Sequence, residues 1–379
     1  MRKKITLIIL SVLLFVVLIR VFVSLQHVVP VATHIIFHPG ASLKQEDNHT
    51  NIVLLGIGGG THDGPDLTDT IIFVSIDWQK DTVHLVSIPR DLWVPSLSTY
   101  VKKINEVYAH GQDNTPPNGL SAAEKVVGQV TGQPVHYGVR LDFDGFVNGV
   151  DEIGGIDVQV ARVLDDYNYP ISGKEDETCN HTPDELKAFN ATASAQIDTD
   201  IFNFYPCRYK HLHFDPGQQH MDGETALEFA RSRHGVGVEG SDFARSARQQ
   251  LVIEAVRNKL IASAFFNPGK LIGLFDVIKQ SIDTDISDTD LGLFLDKLPQ
   301  LKTAKILSSV LDDGDYISGR PGLLNLAPIS PEYDNLSVQI PRAGNGNFSE
   351  IHTYILCELT KENCSVPVVS VTPSQVKKK

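Results

Sequence analysis

The segment that most narrows the fold is a pair of apolar runs, Thr70-Ile71-Ile72-Phe73-Val74-Ser75-Ile76-Asp77 and Thr82-Val83-His84-Leu85-Val86-Ser87-Ile88, separated by Trp78-Gln79-Lys80-Asp81. Runs this rich in β-branched and aromatic residues, broken by a short polar stretch, predict two antiparallel strands joined by a tight turn. The turn sets the register. With Gln79 and Lys80 at its centre, Trp78 faces Asp81, and counting outward brings Asp69 opposite Arg90. A carboxylate beside a guanidinium at a strand end can hold a metal ion together with the anion it neutralises. An ordinary surface salt bridge uses the same two residues, and the hairpin alone does not choose between them.

The start of the chain says where this hairpin would work. Met1-Arg2-Lys3-Lys4 is basic, and residues 5–25 are apolar apart from Thr6, Ser11, Arg20 and Ser24. A helix over 5–25, rising about 1.5 Å per residue, reaches roughly 30 Å, the thickness of a bilayer core. The basic flank predicts that residues 1–4 stay in the cytoplasm, that 5–25 anchor the chain in the cell membrane, and that the rest is extracytoplasmic. A cleaved signal peptide is the alternative. Residues 26–50 read as a linker and 366–379 as a flexible tail. The net charge of −13 excludes an extended nucleic-acid surface, which needs a basic stripe.

Beyond the linker, strand and helix signals alternate: strands at 51–56, 135–141 and 156–160, helices at 103–110, 121–130 and 143–153. This rhythm predicts an α/β layered fold. Ser121 followed by Glu124 reads as a capping box opening the second helix. Residues 164–209 break the rhythm with Asp, Asn, Pro and two cysteines, as an insertion would. Helices follow at 226–229, 241–262, 271–282, 291–298 and 350–358, with strands at 306–311 and 337–340.

Four cysteines outside the apolar segment suggest two disulfides. Pairing Cys179 with Cys207 and Cys357 with Cys364 closes the shortest loops. Zinc is the alternative, with Cys179, His181, Cys207, His211 and His213 as the ligand pool.

A second charged cluster comprises Arg231-Ser232-Arg233, then Asp242, Arg245, Arg248 and Gln249. If Arg231 and Arg233 are extended, they share a face. On a helix, Asp242, Arg245 and Gln249 also make one face. Guanidinium groups converging beside carboxylates suit a strongly anionic ligand such as pyrophosphate, whose oxygens match their planar donors. A solvated helix face with ordinary ion pairs is the competing reading.

These residues resemble the LytR-CpsA-Psr family of envelope proteins. The landmarks are Asn51-Ile52-Val53-Leu54-Leu55-Gly56, Thr68-Asp69-Thr70, Ser87-Ile88-Pro89-Arg90-Asp91, Lys103-Ile104-Asn105, Asp142-Phe143, Gly154-Gly155-Ile156, Asp222-Gly223-Glu224, Arg231-x-Arg233 and Asp242-x-x-Arg245-x-x-Arg248-Gln249, in family order. The resemblance implies an α-β-α layered domain with a mixed central sheet, its catalytic region at 51–262 and an α/β extension at 263–365. It implies a membrane-anchored phosphotransferase that moves a glycopolymer from a polyprenyl-pyrophosphate carrier to a cell-wall acceptor such as peptidoglycan, assisted by Mg2+ or another divalent cation.

Carried over residue by residue, the catalytic set is Asp69, Arg90, Asp91, Arg231 and Arg233. Arg90, Arg231, Arg233, Arg245 and Gln249 would bind the pyrophosphate, and Asp69, Asp91 and Asp242 would serve the metal or orient the arginines. Lys103 is the lesser candidate, with a purely structural role as its alternative. The general base is Asp69 or Asp91. Two departures bear on the metal shell: Leu67 stands where many members have Arg, and Gly58-Gly59-Gly60 where many have an acid, with Asp63 or Asp66 as replacements. Two other readings remain: a prenyl-pyrophosphate hydrolase, and a non-catalytic binder of lipid-linked glycan or envelope sensor.

Overall fold

The computed structural model describes residues 42–60, 64–95, 101–191, 198–266, 280–315, 320–361 and 364–366. The expected anchor at 5–25, most of the linker and nearly all of the expected helix at 271–282 lie outside them. Among the described residues no helix is long and apolar enough to cross a membrane. The chain divides into two compact units, one made of Met1–Phe146 with Leu260–Lys379 and the other of Val147–Lys259.

The larger unit is built on a six-stranded mixed sheet in the order β10-β3-β2-β1-β4-β9. Its strands are β1 (His49–Ile57), β2 (Thr68–Asp77), β3 (Thr82–Ser87), β4 (Tyr137–Asp142), β9 (Ile282–Thr284) and β10 (Lys305–Val310). β2 and β3 pair antiparallel from Asp77 opposite Thr82 to Ile72 opposite Ser87, the register that the turn predicts. Asp77 Oδ1 accepts the N–H groups of Gln79 and Lys80 at 2.8 and 2.9 Å, so an Asp side chain shapes the reversal. β1 pairs antiparallel with β2 and parallel with β4, while β10 lies parallel to β3.

Side-chain alternation gives the sheet two working faces. Val53, Leu55, Phe73 and Val86 form one core with Val127 of the helix Gly119–Thr131 and Ile355 of the helix Ser349–Thr360. Tyr137, opposite Ile52 in register, belongs to the other face, where its ring meets Phe294 of the helix Asp288–Asp296 edge-on at 5.6 Å. Helices therefore cover both faces, which is the layered arrangement expected.

Two local expectations are corrected. The helix Gly119–Thr131 starts after Asn118, so Ser121 and Glu124 are not its capping box; Glu124 Oε1 is instead buried without a hydrogen-bond partner. The earlier start is set by close helix packing, since a Cβ on Gly119 would lie 2.5 Å from the carbonyl oxygen of Tyr108. Ile282 opens an edge strand antiparallel to β4 rather than closing a helix. Residues 164–209, expected as an insertion, open with a strand that the reading did not place.

That strand, β6 (Leu164–Pro170), lies in the smaller unit and pairs antiparallel with β7 (Tyr209–Phe214), with a register shift between Asp166 and Tyr169. The bulge hides the alternation that would have announced it. A second ribbon joins β5 (Ile156–Val160) to β8 (Gly217–Met221). Two helices follow. Gly223–Arg231 is capped by Asp222, whose side chain accepts the Thr225 N–H, and Asp242–Phe266 is the long one. Cys179 is bonded to Cys207 and Cys357 to Cys364. The first of these disulfides removes Cys179 and Cys207 from the expected zinc pool.

Candidate active site

Pro89 cannot donate a ladder hydrogen bond, so β3 stops and the chain turns outward at Arg90. Backbone bonds fix where it goes. Ile88 N–H donates to Ile71 at 2.9 Å, Asn105 N–H to the Arg90 carbonyl at 3.2 Å, and Thr68 N–H to the Asn105 carbonyl at 3.0 Å. The start of β2, the end of β3 and the Lys103-Ile104-Asn105 segment are thus pinned to one another.

On this frame four side chains form an alternating row. Arg90 Nη1 donates to Asp69 Oδ1. Arg90 Nε lies 3.5 Å from Asp91 Oδ2, and Lys103 Nζ donates to Asp91 Oδ1 at 2.7 Å. Arg90 is held at two of its edges by carboxylates, and its Nε, turned toward Asp91, is buried. Burial works against the Arg90 charge, but Asp69 and then Asp91 outweigh it and hold the group above its ordinary pKa. The side chain is 27% exposed and that of Asp69 39%, so the pair is reachable from solvent.

At Gly59 the glycine-rich departure has a steric reason. Gly59 adopts φ +68°, and a Cβ there would sit 2.8 Å from the Asp142 Cβ, so the loop after β1 accepts no acidic side chain at that position. Gly64, at φ +61°, is packed by Leu67, whose Cδ1 would lie 2.6 Å from a Cβ on it. Asp66 is exposed, and Asp63 lies outside the described residues.

In the smaller unit, Arg231 and Arg233 are not two residues of an extended segment. Arg231 ends the helix Gly223–Arg231, and Ser232 is its C-cap, because the helix begun at Asp222 runs on through the first arginine. Arg231 is half-buried and Arg233 exposed. Arg245 and Gln249, also half-buried, lie on the helix Asp242–Phe266. Asp242 opens that helix, but its side chain lies outside what is described.

Arg248 does not belong among the ligand-facing arginines. It is buried, with Nε donating to the Phe229 carbonyl at 3.0 Å and Nη2 to the Ser232 carbonyl at 2.6 Å. Its Nη1 donates to the carbonyl and carboxylate of Glu239 at 3.0 and 2.9 Å. Burial holds its pKa below the ordinary value against the attraction of Glu239. Arg248 thus braces the Arg231-Ser232-Arg233 turn from beneath. Asp166 does the same from β6, accepting the Ser232 hydroxyl at 2.6 Å and the His234 N–H at 3.2 Å. Sequence reasoning missed Asp166 and Glu239; the inward alternation of Leu164 and Asp166 was the available signal.

A mixed sheet covered on both faces, with a carboxylate-braced arginine at the ends of two central strands, defines an α/β protein with an arginine-centred polar site. The chain belongs to the LytR_cpsA_psr family, whose model matches residues 30–320. It is 28% identical over 264 residues to a polyisoprenyl-teichoic acid–peptidoglycan teichoic acid transferase TagU of Oceanobacillus iheyensis, covering 69% of this chain and 64% of that protein. It is 25% identical over 272 residues to the transferase TagV of Bacillus subtilis, covering 71% of this chain and 57% of that one. The chain thus spans less than two thirds of the length of these curated relatives. The crystal structure of B. subtilis TagV superposes with a TM-score of 0.53 at 22% identity, covering 84% of this chain and 100% of that one, which shows a shared fold.

Proposed function

We propose that this protein is a phosphotransferase that moves a glycopolymer from a polyprenyl-pyrophosphate carrier to a hydroxyl of a cell-wall acceptor such as peptidoglycan. The observation that carries this reading is Arg90, held between Asp69 and Asp91 with its side chain still partly open to solvent. A guanidinium fixed in this way is preorganised for phosphate oxygens. The family membership and the names of the relatives agree with it.

In the reaction, the acceptor oxygen bonds to the sugar-bearing phosphorus, and the bond from that phosphorus to the bridging oxygen breaks. Polyprenyl phosphate leaves with the electron pair. Arg90 neutralises charge growing on the phosphates, the kind of fixed electrostatic stabilisation that lowers such barriers. One of the two carboxylates flanking Arg90 takes the acceptor's proton. Arg231, Arg233, Arg245 and Gln249 are proposed as further head-group ligands on the strength of the resemblance.

Magnesium is proposed as the cofactor, with Asp69 and Asp91 as its protein ligands. The donor set fits, because Mg2+ takes one or two carboxylates and completes its shell with water and substrate oxygens. When bound it would supply positive charge at the phosphates. Residues 5–25 are proposed as a membrane anchor that keeps the site beside a lipid-linked donor on the extracytoplasmic side.

The test is product identification. Full-length protein in detergent is incubated with lipid-linked glycan, wall fragments and magnesium. Glycan joined to the wall through phosphate is expected. Free glycan phosphate would identify a hydrolase, and donor bound but unconsumed would identify a binder or sensor.

A further inference from the structure

His211 and His213, deprived of their cysteine neighbours by the disulfide, face a different partner. In the β6–β7 ribbon, Asp165 is opposite His213 and Asp166 opposite Leu212. Alternation turns Leu164, Asp166, Leu212 and Phe214 inward, all of them buried. Asp165, His211 and His213 therefore project together from the outer face. Asp165 Oδ1 lies 2.9 Å from His211 Nε2 and 2.7 Å from His213 Nδ1, and one ligand atom from each residue falls within 4.8 Å of the others.

Two neighbours constrain the rings. Tyr167, two residues along the same face of β6, stacks on His211 with centroids 4.1 Å apart and planes 2° from parallel. His213 has its Nδ1 toward Asp165 and its Nε2 3.3 Å from Asp215 Oδ1. A second carboxylate on the outer nitrogen is the arrangement that fixes the tautomer and orientation of a metal-bound imidazole. Two imidazoles and one carboxylate are a donor set suited to zinc and its neighbours rather than to magnesium or calcium. The side chains are 27 to 47% exposed, so water can complete the coordination.

We infer that Asp165, His211 and His213 form a binding site for a divalent transition metal of the zinc type, with Asp215 as the outer partner of His213. On binding, any proton that a ring nitrogen shares with Asp165 passes to solvent and the metal takes its place. The site lies next to the brace described above: the Asp165 carbonyl accepts the Val236 N–H at 2.8 Å, and the adjoining Asp166 holds Ser232 and His234. A metal here would stiffen the strand that supports the Arg231–Arg233 turn. The inference does not depend on the proposed reaction.

The test is a zinc titration of full-length protein in detergent after chelator treatment, followed by calorimetry, with Co2+ absorption as a second reading. One saturable equivalent is expected. His211→Ala, His213→Ala and Asp165→Asn should each weaken it at least about 10-fold, and Asp215→Asn should weaken it by about 10-fold through the outer shell. His220→Ala, on the other ribbon, should bind like the wild type. At one fixed zinc concentration, the melting temperature should rise more for the wild type than for His213→Ala, and the chelated variants should melt close to the chelated wild type because the replaced groups lie on the outer face of the ribbon. No saturable binding by the wild type would overturn the inference, leaving only a proton-sharing cluster. Undiminished binding by both His211→Ala and His213→Ala would overturn it equally.

Discussion

Arg90 and Asp69 form an ion pair just past the last ladder pair of β2 and β3, Ile72 opposite Ser87. The pairing follows from a turn more than a strand's length away, because an antiparallel ladder carries its register outward from the reversal. It leaves a partly exposed guanidinium at the ends of two central strands, with a second carboxylate on its other flank. The geometry matters more than the charge alone.

Replacing Arg90 by Lys should therefore impair transfer, because an ammonium keeps the charge but loses the planar fork. Lys103→Met should be milder, since Lys103 acts on Arg90 only through Asp91. Turnover of the lipid-linked donor checks both, and a Lys103 variant weaker than Arg90→Lys would reverse the assigned roles.

Arg248 and Arg245 should separate stability from activity. Arg248→Ala leaves the Glu239 carboxylate without its buried partner and should cost about 3–5 kcal/mol of stability. Arg245→Ala should lower turnover while shifting stability far less. Denaturant unfolding and activity, measured on both variants, provide the comparison.

Glu124 should make the larger unit less stable as pH rises. Burial first, then Asp285 and Asp283, push its carboxyl up to about 7 against the pull of Lys44. The group favours its protonated form when folded, so its cost is absent below the ordinary carboxylate pKa, grows as pH rises and is complete above about 7. Glu124→Gln should thus raise stability at pH 8 by about 1–3 kcal/mol, a figure reduced for partial exposure, and change it little at pH 4.5. Melting curves of both proteins across that range give the difference directly.

The two disulfides should differ in worth. Cys179–Cys207 spans 28 positions and Cys357–Cys364 spans 7. By loop-closure entropy they stabilise by about 3–4 and about 2–3 kcal/mol. Paired Cys→Ser replacements followed by thermal unfolding should rank them in that order.

The central hairpin was legible because its strands are dense in β-branched residues and its turn is short. The Asp69–Arg90 pairing came with it. The helix Gly119–Thr131 was misplaced at its start because a capping box is local, whereas the close approach of Gly119 to Tyr108 is tertiary. β6 was hidden by a bulge and by polar residues that mimic a loop, and with it went Asp166. Arg248 looked like its neighbouring arginines because burial does not show in a motif. The shared outward face of His211 and His213 was legible from their spacing, but their partner Asp165 depended on the register of a ribbon not foreseen.

The central claim, that Asp69 and Arg90 act together on one transition state, is tested most directly by a double-mutant cycle on transfer. kcat/KM is measured with lipid-linked donor and wall acceptor for the wild type, Asp69→Ala, Arg90→Ala and the double variant, with unfolding controls. Loss of a fixed anion-stabilising donor typically costs about 2.7–4 kcal/mol, so Arg90→Ala should reduce turnover by about 100-fold or more, and Asp69→Ala should also reduce it. The double variant should lose clearly less than the two effects combined, as groups serving one step do. Folded single variants with near-normal transfer, or fully additive losses, would contradict the account.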